Sequence, residues 1–331
     1  MGITIKELSE LSGYSCATIS RVLSNKSNVK KETREAIEKL LIEHNYRTNV
    51  MELRNAQAKS KTIMIIVGDL DNSYYIKLIK TIQEEAGQRG YVTLIAFSRN
   101  SIEEEASFVN IAIRERYAGI IFMNVRGGEE LAAGLKESEI PVVFLNRSVR
   151  FSDFDSVTSD NYQGGYMITS YLIEMGHKKI GHIMGQSYSM AARERRRGYE
   201  DAMREGKLCV TDNSVLVGEL NYDSGYACGE QLVKKGLDYT AVFCGNDLMA
   251  VGFVDALKDC GVKIPEDISV VCYDDTFFSE RHGLTVVGAE AEKLAVKAVS
   301  LLLSKIEGEK TEGASVVYRP KIIVRRSVKK I

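Results

Sequence analysis

The sequence predicts an all-α helix-turn-helix head followed by an α/β core of two parallel-sheet, Rossmann-like subdomains. Three observations predict this architecture. Three short amphipathic helical segments occupy the first 47 residues, with a glycine between the first two. From about residue 61, β-branched runs alternate with amphipathic stretches, which is typical of βαβ units and a parallel sheet. The alternation starts again after Asp160, so the core is expected to have two similar halves.

The head is predicted from its helix signals. Thr4 and Glu7 have the spacing of a capping box, Gly13 ends the first helix, and Ser15 caps a second helix over 16–23. A third helix is predicted over 32–43. In a helix-turn-helix the second helix enters the major groove of DNA. The side chains expected to face the head's core are Ile5, Leu8, Leu11, Ile19, Val22, Leu23, Ala36, Ile37, Leu40 and Leu41.

The core is predicted from short apolar runs. The expected strands are 63–67, 92–97, 119–123 and 142–145 in the first half, and 180–184, 215–217, 241–244 and 269–272 in the second. Helices are expected between them, for example over 76–89 and 103–115. Two such halves in one chain usually bind a ligand in the cleft between them, at the carboxyl ends of the strands.

The composition is that of a globular chain with about two domains. The 331 residues are 44% hydrophobic and 27% charged. The densest apolar run, 63–67, is far shorter than the ~18 residues of a membrane span, and the first fifteen residues contain no apolar signal core. We therefore expect a cytoplasmic protein without a membrane partner. The six scattered cysteines are expected to be buried thiols: Cys16, Cys209, Cys228, Cys244, Cys260 and Cys272.

The charge is unevenly distributed. The whole chain has a formal charge of −1, yet residues 1–60 carry ten basic and seven acidic side chains, a net +3, which leaves −4 for the rest. No acidic residue lies between Glu10 and Glu32, whereas four basic residues do. A basic window of this kind is typical of a phosphate-contacting surface, although a solvated helix face has the same charge pattern.

Motifs for catalysis, cofactors and metals are missing from the sequence. It contains no Gly-x-Gly-x-x-Gly turn, no phosphate-binding loop, no His-Glu-x-x-His and no Gly-x-Ser-x-Gly. The four histidines, His44, His177, His182 and His282, have no metal-ligand spacing. The chain is therefore predicted not to be an enzyme, with no cofactor, no metal and no catalytic residue.

Residues 4–49, TIKELSELSGYSCATISRVLSNKSNVKKETREAIEKLLIEHNYRTN, closely resemble the DNA-binding head of the LacI/GalR family of bacterial transcription regulators. The core is similar to the periplasmic-binding-protein-like core of that family, through GDLDNSYY at 68–75, SDNYQGG at 159–165, RERRRGY at 193–199 and TAVFCGNDLMAVG at 240–252. The resemblance implies a sequence-specific repressor of transcription. It would bind double-stranded operator DNA as a homodimer under the control of a small effector.

The resemblance implies three domains. The head covers 1–47, a hinge or linker 48–60, and the effector-binding and dimerisation domain 61–331. Within the last, the N-subdomain would comprise about 61–158 plus 288–317, and the C-subdomain about 159–287 plus 318–331. The hinge departs from the family pattern, because Asn55 stands where the family has a leucine that enters the minor groove. The chain ends at Ile331 without a leucine-heptad tail, which favours a dimer over a tetramer.

The resemblance assigns base reading to Cys16, Ala17 and Arg21. Arg21 can bond bidentately to guanine, although it could instead clamp a phosphate, and Cys16 could be a mere spacer. The full set of expected DNA contacts is Thr4, Ser15, Cys16, Ala17, Thr18, Ser20, Arg21, Asn25, Lys26, Tyr46, Arg47 and Asn49.

The expected effector contacts are Tyr74, Tyr75, Asn146, Arg147, Asp160, Arg195, Leu220, Asn246 and Asp274. Their types suit the vicinal hydroxyls of a sugar, which is the first expectation for the effector. Leu220 stands where sugar and purine regulators often have a large aromatic residue, and the chain has no tryptophan. A purine or a phosphorylated protein corepressor is the alternative, and a sugar-binding transport component is the rival from another class.

Simpler structural roles are open for several of these positions. Asp160 could be a hinge residue, and Tyr74 and Tyr75 could be core, although two adjacent side chains seldom both point inward. Asn246 and Asp247 could cap the helix that begins there, and capping is the main role expected of Asp247.

Overall fold

The computed structural model describes residues 4–23, 29–44, 60–123, 126, 129–146, 154–309 and 313–331. The chain divides into two units, one up to Lys61 and the other from Thr62 onwards. Among the described residues, no helix has both the length and the apolar character that a membrane span requires.

The head contains helices α1 (Ile5–Ser12), α2 (Cys16–Leu23) and α3 (Lys31–Glu43). The capping box is present: Thr4 Oγ1 accepts from Glu7 N at 3.3 Å, and Glu7 Oε2 accepts from Thr4 N at 2.7 Å. Gly13 ends α1 with φ of 72°, a left-handed conformation that favours glycine. Among the described residues of the head, the buried apolar side chains are those of Leu8, Ile19, Val22, Leu23, Ile37 and Leu41.

The expectation that Leu11 faces this core is wrong, because its side chain is 61% exposed. Leu11 lies three residues after Leu8, but α1 ends one residue later at Ser12, and no described helix covers that end of it. Ala36 and Leu40 are only partly buried, so α3 contributes a narrower apolar stripe than predicted.

The first half of the core is built on a parallel six-stranded sheet with strand order β11-β5-β4-β3-β1-β2. Its strands are β1 (Thr62–Val67), β2 (Val92–Phe97), β3 (Gly119–Met123), β4 (Val142–Leu145), β5 (Asp155–Ser159) and β11 (Ser315–Tyr318). Its helices are α4 (Ser73–Gln88), α5 (Ile102–Arg114), α6 (Glu129–Ser138) and α12 (Ala291–Ile306). Helices α4 and α12 pack on one face and α5 and α6 on the other.

The second half has its own six-stranded sheet with strand order β12-β10-β9-β8-β6-β7. Its strands are β6 (Ile180–Met184), β7 (Val215–Val217), β8 (Ala241–Cys244), β9 (Ser269–Tyr273), β10 (Thr285–Gly288) and β12 (Lys321–Ile323). Its helices are α7 (Asn161–Glu174), α8 (Met190–Glu205), α9 (Tyr222–Lys234), α10 (Asp247–Asp259) and the short α11 (Phe277–Arg281).

One strand departs from the predicted parallel arrangement. Strand β12 pairs antiparallel with β10, with Val286 opposite Ile323. It follows β11 of the other sheet after only two residues, so no crossover helix sets its direction.

The chain passes three times between the halves, after Ser159, Gly288 and Tyr318. The cleft between the two sheets therefore lies where β5, β10 and β11 end. The division of the chain at 158/159, 287/288 and 317/318 stays a prediction, as do the bounds of the head and the hinge.

Two helix pairs in the second half pack through glycine, so closely that no side chain fits between them. A Cβ on Gly165 would lie 2.1 Å from the carbonyl oxygen of Arg195, and one on Gly225 would lie 2.1 Å from that of Met249. The pairs α7–α8 and α9–α10 therefore make the same contact.

The two pairs also share a tyrosine-to-carboxylate bond. Tyr162 OH donates to Asp201 Oδ2 at 3.1 Å, and Tyr222 OH donates to Asp255 Oδ2 at 3.2 Å. We call these two units the glycine-spaced helix pairs.

Candidate functional site

The second helix of the head begins at a side-chain cap. Ser15 Oγ accepts from Thr18 N at 3.1 Å, and the two hydroxyls lie 2.8 Å apart. Because Ile19, Val22 and Leu23 face the core, the exposed face of α2 carries Cys16, Ala17, Ser20 and Arg21.

Several expected DNA contacts lie outside the described residues, namely Asn25, Lys26, Tyr46, Arg47 and Asn49, together with nearly all of the 48–60 hinge. Thr4 is described, and its hydroxyl is engaged with Glu7.

The prediction of buried cysteines is wrong for half of them. Cys16, Cys209 and Cys260 are exposed, whereas Cys228, Cys244 and Cys272 are buried. Cys16 lies on the face of α2 that is turned away from the head's core.

A cavity of about 650 Å³ lies between the two halves of the core. This volume is in the usual range for small-molecule sites. Eight of the nine expected effector contacts line it, and the ninth, Arg147, lies outside the described residues. The eight are Tyr74, Tyr75, Asn146, Asp160, Arg195, Leu220, Asn246 and Asp274.

Arg195 is held in one orientation on the second-half wall. Its Nε donates to Asn161 Oδ1 at 2.8 Å, and its Nη1 donates to the carbonyl oxygen of Gly245. The guanidinium also stacks 3.5 Å from the centroid of the Tyr273 ring. The side chain is therefore preorganised for a ligand.

Asp274 faces Arg195 without forming a close ion pair. Its Oδ2 lies 3.9 Å from Arg195 Nη1, too far for a hydrogen bond. Burial raises the pKa of the Asp274 carboxyl to about 7, an effect that Arg195 opposes and Asp247 reinforces. Its φ of 75° is a left-handed conformation, rare for an aspartate, at the end of β9.

Tyr74 and Tyr75 are both buried, although two adjacent side chains seldom both point inward. They lie in the first turn of α4, edge to face with ring centroids 6.1 Å apart, and both line the cavity. Asn72 caps this turn through its side chain, which accepts from Tyr74 N at 2.9 Å. Burial raises the pKa of both phenols, so each stays a neutral hydroxyl.

Asp160 and Asn246 both cap helices. Asp160 Oδ1 accepts from Gln163 N at 2.9 Å, and Asn246 Oδ1 accepts from Met249 N at 3.1 Å. Asn246 Nδ2 also donates to the carbonyl oxygen of Leu220 at 2.9 Å. The capping role expected mainly of Asp247 therefore belongs to Asn246.

Residues that the sequence did not single out complete the cavity. Asn161, which follows Asp160 directly, orients Arg195 and could have been found from that adjacency. At the cavity edge the Arg126 guanidinium lies 4.2 Å from the centroid of the Tyr188 ring. Arg126 follows β3 and Tyr188 follows β6, so this cation–π contact joins the two halves, and no sequence signal marked it.

Among the described residues, no three His, Cys, Asp or Glu side chains lie close enough together to bind a metal ion. Buried His182 stacks on Phe243, with ring centroids 4.5 Å apart, and its Nδ1 lies 2.9 Å from the carbonyl oxygen of Phe243. Burial lowers its pKa to about 4, so it is a neutral core residue.

The head and the core each match a known protein family. Residues 4–49 match the family model for bacterial regulatory proteins of the lacI family, and residues 169–328 match the periplasmic binding protein-like domain. The chain is 32% identical over 335 residues to the HTH-type transcriptional repressor PurR of Haemophilus influenzae (strain PittEE), covering 99% of each chain. It is 29% identical to PurR of Pasteurella multocida (strain Pm70), covering 98% of each.

Solved structures give the same picture. The transcriptional regulator CelR in complex with cellobiose has a TM-score of 0.74 at 27% identity, covering 98% of this chain and 99% of that one. The transcription regulator CcpA of Lactococcus lactis has a TM-score of 0.74 at 28% identity, covering 82% of this chain and 100% of that one.

A helix-turn-helix head joined to a two-half core with a ligand cleft defines an effector-controlled, DNA-binding regulator of transcription. The full-length match to a repressor narrows this class. The chain belongs to the LacI family of bacterial regulatory proteins.

Proposed function

We propose that the effector is an uncharged, polyhydroxylated molecule, a sugar or a glycoside, bound in the cavity between the two halves. The observation that carries the proposal is the pairing of a fixed donor with a free acceptor, Arg195 and Asp274, on one wall. Vicinal hydroxyls can accept from the guanidinium and donate to the carboxylate at the same time.

The opposite wall supports the same chemistry. Tyr74 and Tyr75 offer neutral hydroxyls and ring faces from the first half, and Asn146 adds an amide. Two of the five N–H donors of Arg195 are used by the protein, and the Asp274 carboxyl lies 3.9 Å from its Nη1, so an anionic ligand would meet a negative group beside the positive one. A neutral polar ligand fits this balance better than a charged one.

A purine is the second candidate, because the full-length relatives above are named PurR. Leu220 does not separate the two candidates, because sugar and purine regulators alike often have a large aromatic residue at this position; the pairing of Arg195 with Asp274 is what favours the sugar. A phosphorylated protein corepressor is the remaining alternative.

We propose that α2 reads operator bases through Cys16, Ala17 and Arg21, while Ser15, Thr18 and Ser20 orient the head on phosphates. All six are at the exposed or partly exposed face of the helix. Arg21 is the side chain with base-discriminating chemistry, through the O6 and N7 atoms of guanine.

We propose a cytoplasmic homodimer without catalytic activity, acting on a two-fold-symmetric operator. Exposed apolar side chains on edge strand β2, namely Val92, Leu94, Ile95 and Phe97, support a second copy as the partner. Effector binding would change the closure of the halves and thereby the spacing of the two heads, so the coupling energy alters operator affinity.

A thermal-shift screen of neutral mono- and disaccharides against nucleobases and nucleosides tests the ligand class. We expect a saccharide to raise the melting temperature, because a ligand that binds only the folded state stabilises it. Asp274→Ala should abolish that increase while operator binding by the effector-free protein persists. A response to nucleobases alone would overturn the sugar proposal in favour of the purine.

A further inference from the structure

A hydrogen bond outside the cavity lining joins helix α4 of the first half to helix α10 of the second, in addition to the bond between the hydroxyls of Ser159 and Tyr273. Ser73 Oγ, in the first turn of α4, donates to Asp247 Oδ2 at 2.9 Å across 174 positions of sequence. Helix α4 packs on the first sheet, whereas α10, which begins with Asp247, packs on the second. The bond can therefore exist only while the halves are close together.

Asp247 is an unusual acceptor for this contact. Its side chain is fully buried, and Thr276 Oγ1 donates to the same oxygen as Ser73. Its other oxygen, Oδ1, is buried without a hydrogen-bond partner among the described residues, beside the first amides of its own helix. Burial raises the pKa of this carboxyl, which indicates that the charged form is poorly solvated.

The three residues alternate with effector contacts along the chain. Ser73 precedes Tyr74, Asp247 follows Asn246, and Thr276 comes two residues after Asp274. None of the three lines the cavity. Because Thr276 and Asp247 belong to the same half, their bond survives opening, and only the bond from Ser73 is lost.

We propose that Ser73, Asp247 and Thr276 form a closure latch, which sets the ratio of open to closed cleft before any effector binds. Ser73 holds the closed state through a hydrogen bond to a charged group, one of the stronger kinds. The desolvated carboxylate opposes closure, because opening returns it to water. The hydrogen bond from Ser73 therefore favours the closed cleft, and the burial of the Asp247 carboxylate favours the open one.

The test uses the absence of native tryptophan. Tyr188→Trp places the chain's one tryptophan, excited selectively over its tyrosines, opposite Arg126 at the cavity edge, where closure shields it from acrylamide. In the effector-free full chain, adding Ser73→Ala should raise the open-to-closed ratio roughly tenfold or more, seen as stronger quenching. Ser73→Thr keeps a hydroxyl and should restore shielding. Asp247→Asn keeps an acceptor without the charge and should not increase quenching.

Ser224→Ala is the matched control, because Ser224 also lies in the first turn of a helix but bonds only within the second half, to Asn221 and Glu219. It should leave quenching unchanged. Equal quenching in Ser73→Ala and Ser224→Ala would overturn the latch, as would stronger quenching in Asp247→Asn. Since no effector is present, failure of the latch leaves the proposed ligand class untouched.

Discussion

Asp274 shows how much a single residue depends on packing that its neighbours in sequence do not reveal. Its position at the end of a predicted strand is readable from the sequence, and so is that of Arg195. The geometry between them is not, because the hydrogen bonds of Asn161 and Gly245 that hold the guanidinium join residues 34 and 50 positions away. Tyr74 and Tyr75 can both be buried because the first turn of α4 lies between the apolar core of the first half and the cavity.

The raised pKa of Asp274 predicts a loss of stability with rising pH. Below its folded pKa of about 7 the native protein keeps a proton that the unfolded chain loses at its ordinary value near 3.8. The free energy of unfolding should therefore fall as the pH rises through this window. From pH 6 to pH 8 the contribution is about 1.4 kcal/mol.

Urea unfolding of the ligand-free protein at both pH values measures this change. Asp274→Asn, which cannot ionise, should show a pH dependence smaller by that amount. An identical pH dependence in the variant and the parent would contradict the assignment.

Arg21→Ala should flatten the preference for one guanine in an operator selected from random sequence. A bidentate contact to guanine contributes about 1–3 kcal/mol of discrimination, which the variant would lose at one position. Binding to the operator and to its single-base variants measures this effect. Arg204→Ala, an exposed arginine of α8, is the control. A uniform loss across all sequences would instead identify Arg21 as a phosphate clamp.

At the scale of elements, the strands were the most predictable feature. The eight predicted strands match observed ones to within one residue, because their β-branched and apolar runs are continuous in the sequence, whereas β5, β10 and β11 were not among the predicted strands. Helix starts were less accurate: α4 begins at Ser73 rather than at 76, because its cap is Asn72 and its first turn contains polar residues. The antiparallel β12 could not be predicted, because its direction follows from a crossing between sheets.

A glycine-to-alanine substitution should change the free energy of unfolding differently inside and outside the glycine-spaced helix pairs. Gly225→Ala would place its Cβ 2.1 Å from a backbone oxygen that cannot move aside, and overpacking of this kind typically costs about 1–3 kcal/mol. Gly87→Ala in α4 meets no atom within 4 Å and should stabilise its helix by about 0.5–1 kcal/mol. Thermal unfolding of both variants gives the comparison, and similar melting temperatures would contradict the close packing.

At the scale of the whole molecule, the near-neutral total charge is the sum of a positive head and a negative core. The first 60 residues carry net +3 and the remainder −4, so attraction to DNA is concentrated in the head. The charge asymmetry could be derived from the sequence alone. Contacts between the halves of the core, such as those of Ser73 with Asp247 and of Arg126 with Tyr188, could not be derived from the sequence, because they join residues more than 60 positions apart.

This asymmetry predicts a steep salt dependence of operator binding. The logarithm of the binding constant should fall with the logarithm of salt concentration at about −0.9 per phosphate contacted. Lys26→Ala, at an expected DNA contact in the acid-free window of the head, should reduce the slope by about 1, whereas Lys235→Ala in the core should not. A gel-shift titration checks both, and a salt-independent constant would contradict the electrostatic role of the head.

The glycine-spaced helix pairs also bear on how this cleft can change over evolution. Their glycines, Gly165 and Gly225, lie sixty positions apart and press on the backbone of Arg195 and Met249, as one part used twice. The contact engages main-chain atoms, so it does not depend on the side chain at the pressed position. Met249 packs in a core at that position, whereas Arg195 lines the cavity. The side chain that lines the cavity at this position can therefore be replaced without loss of the contact that holds the helix pair together.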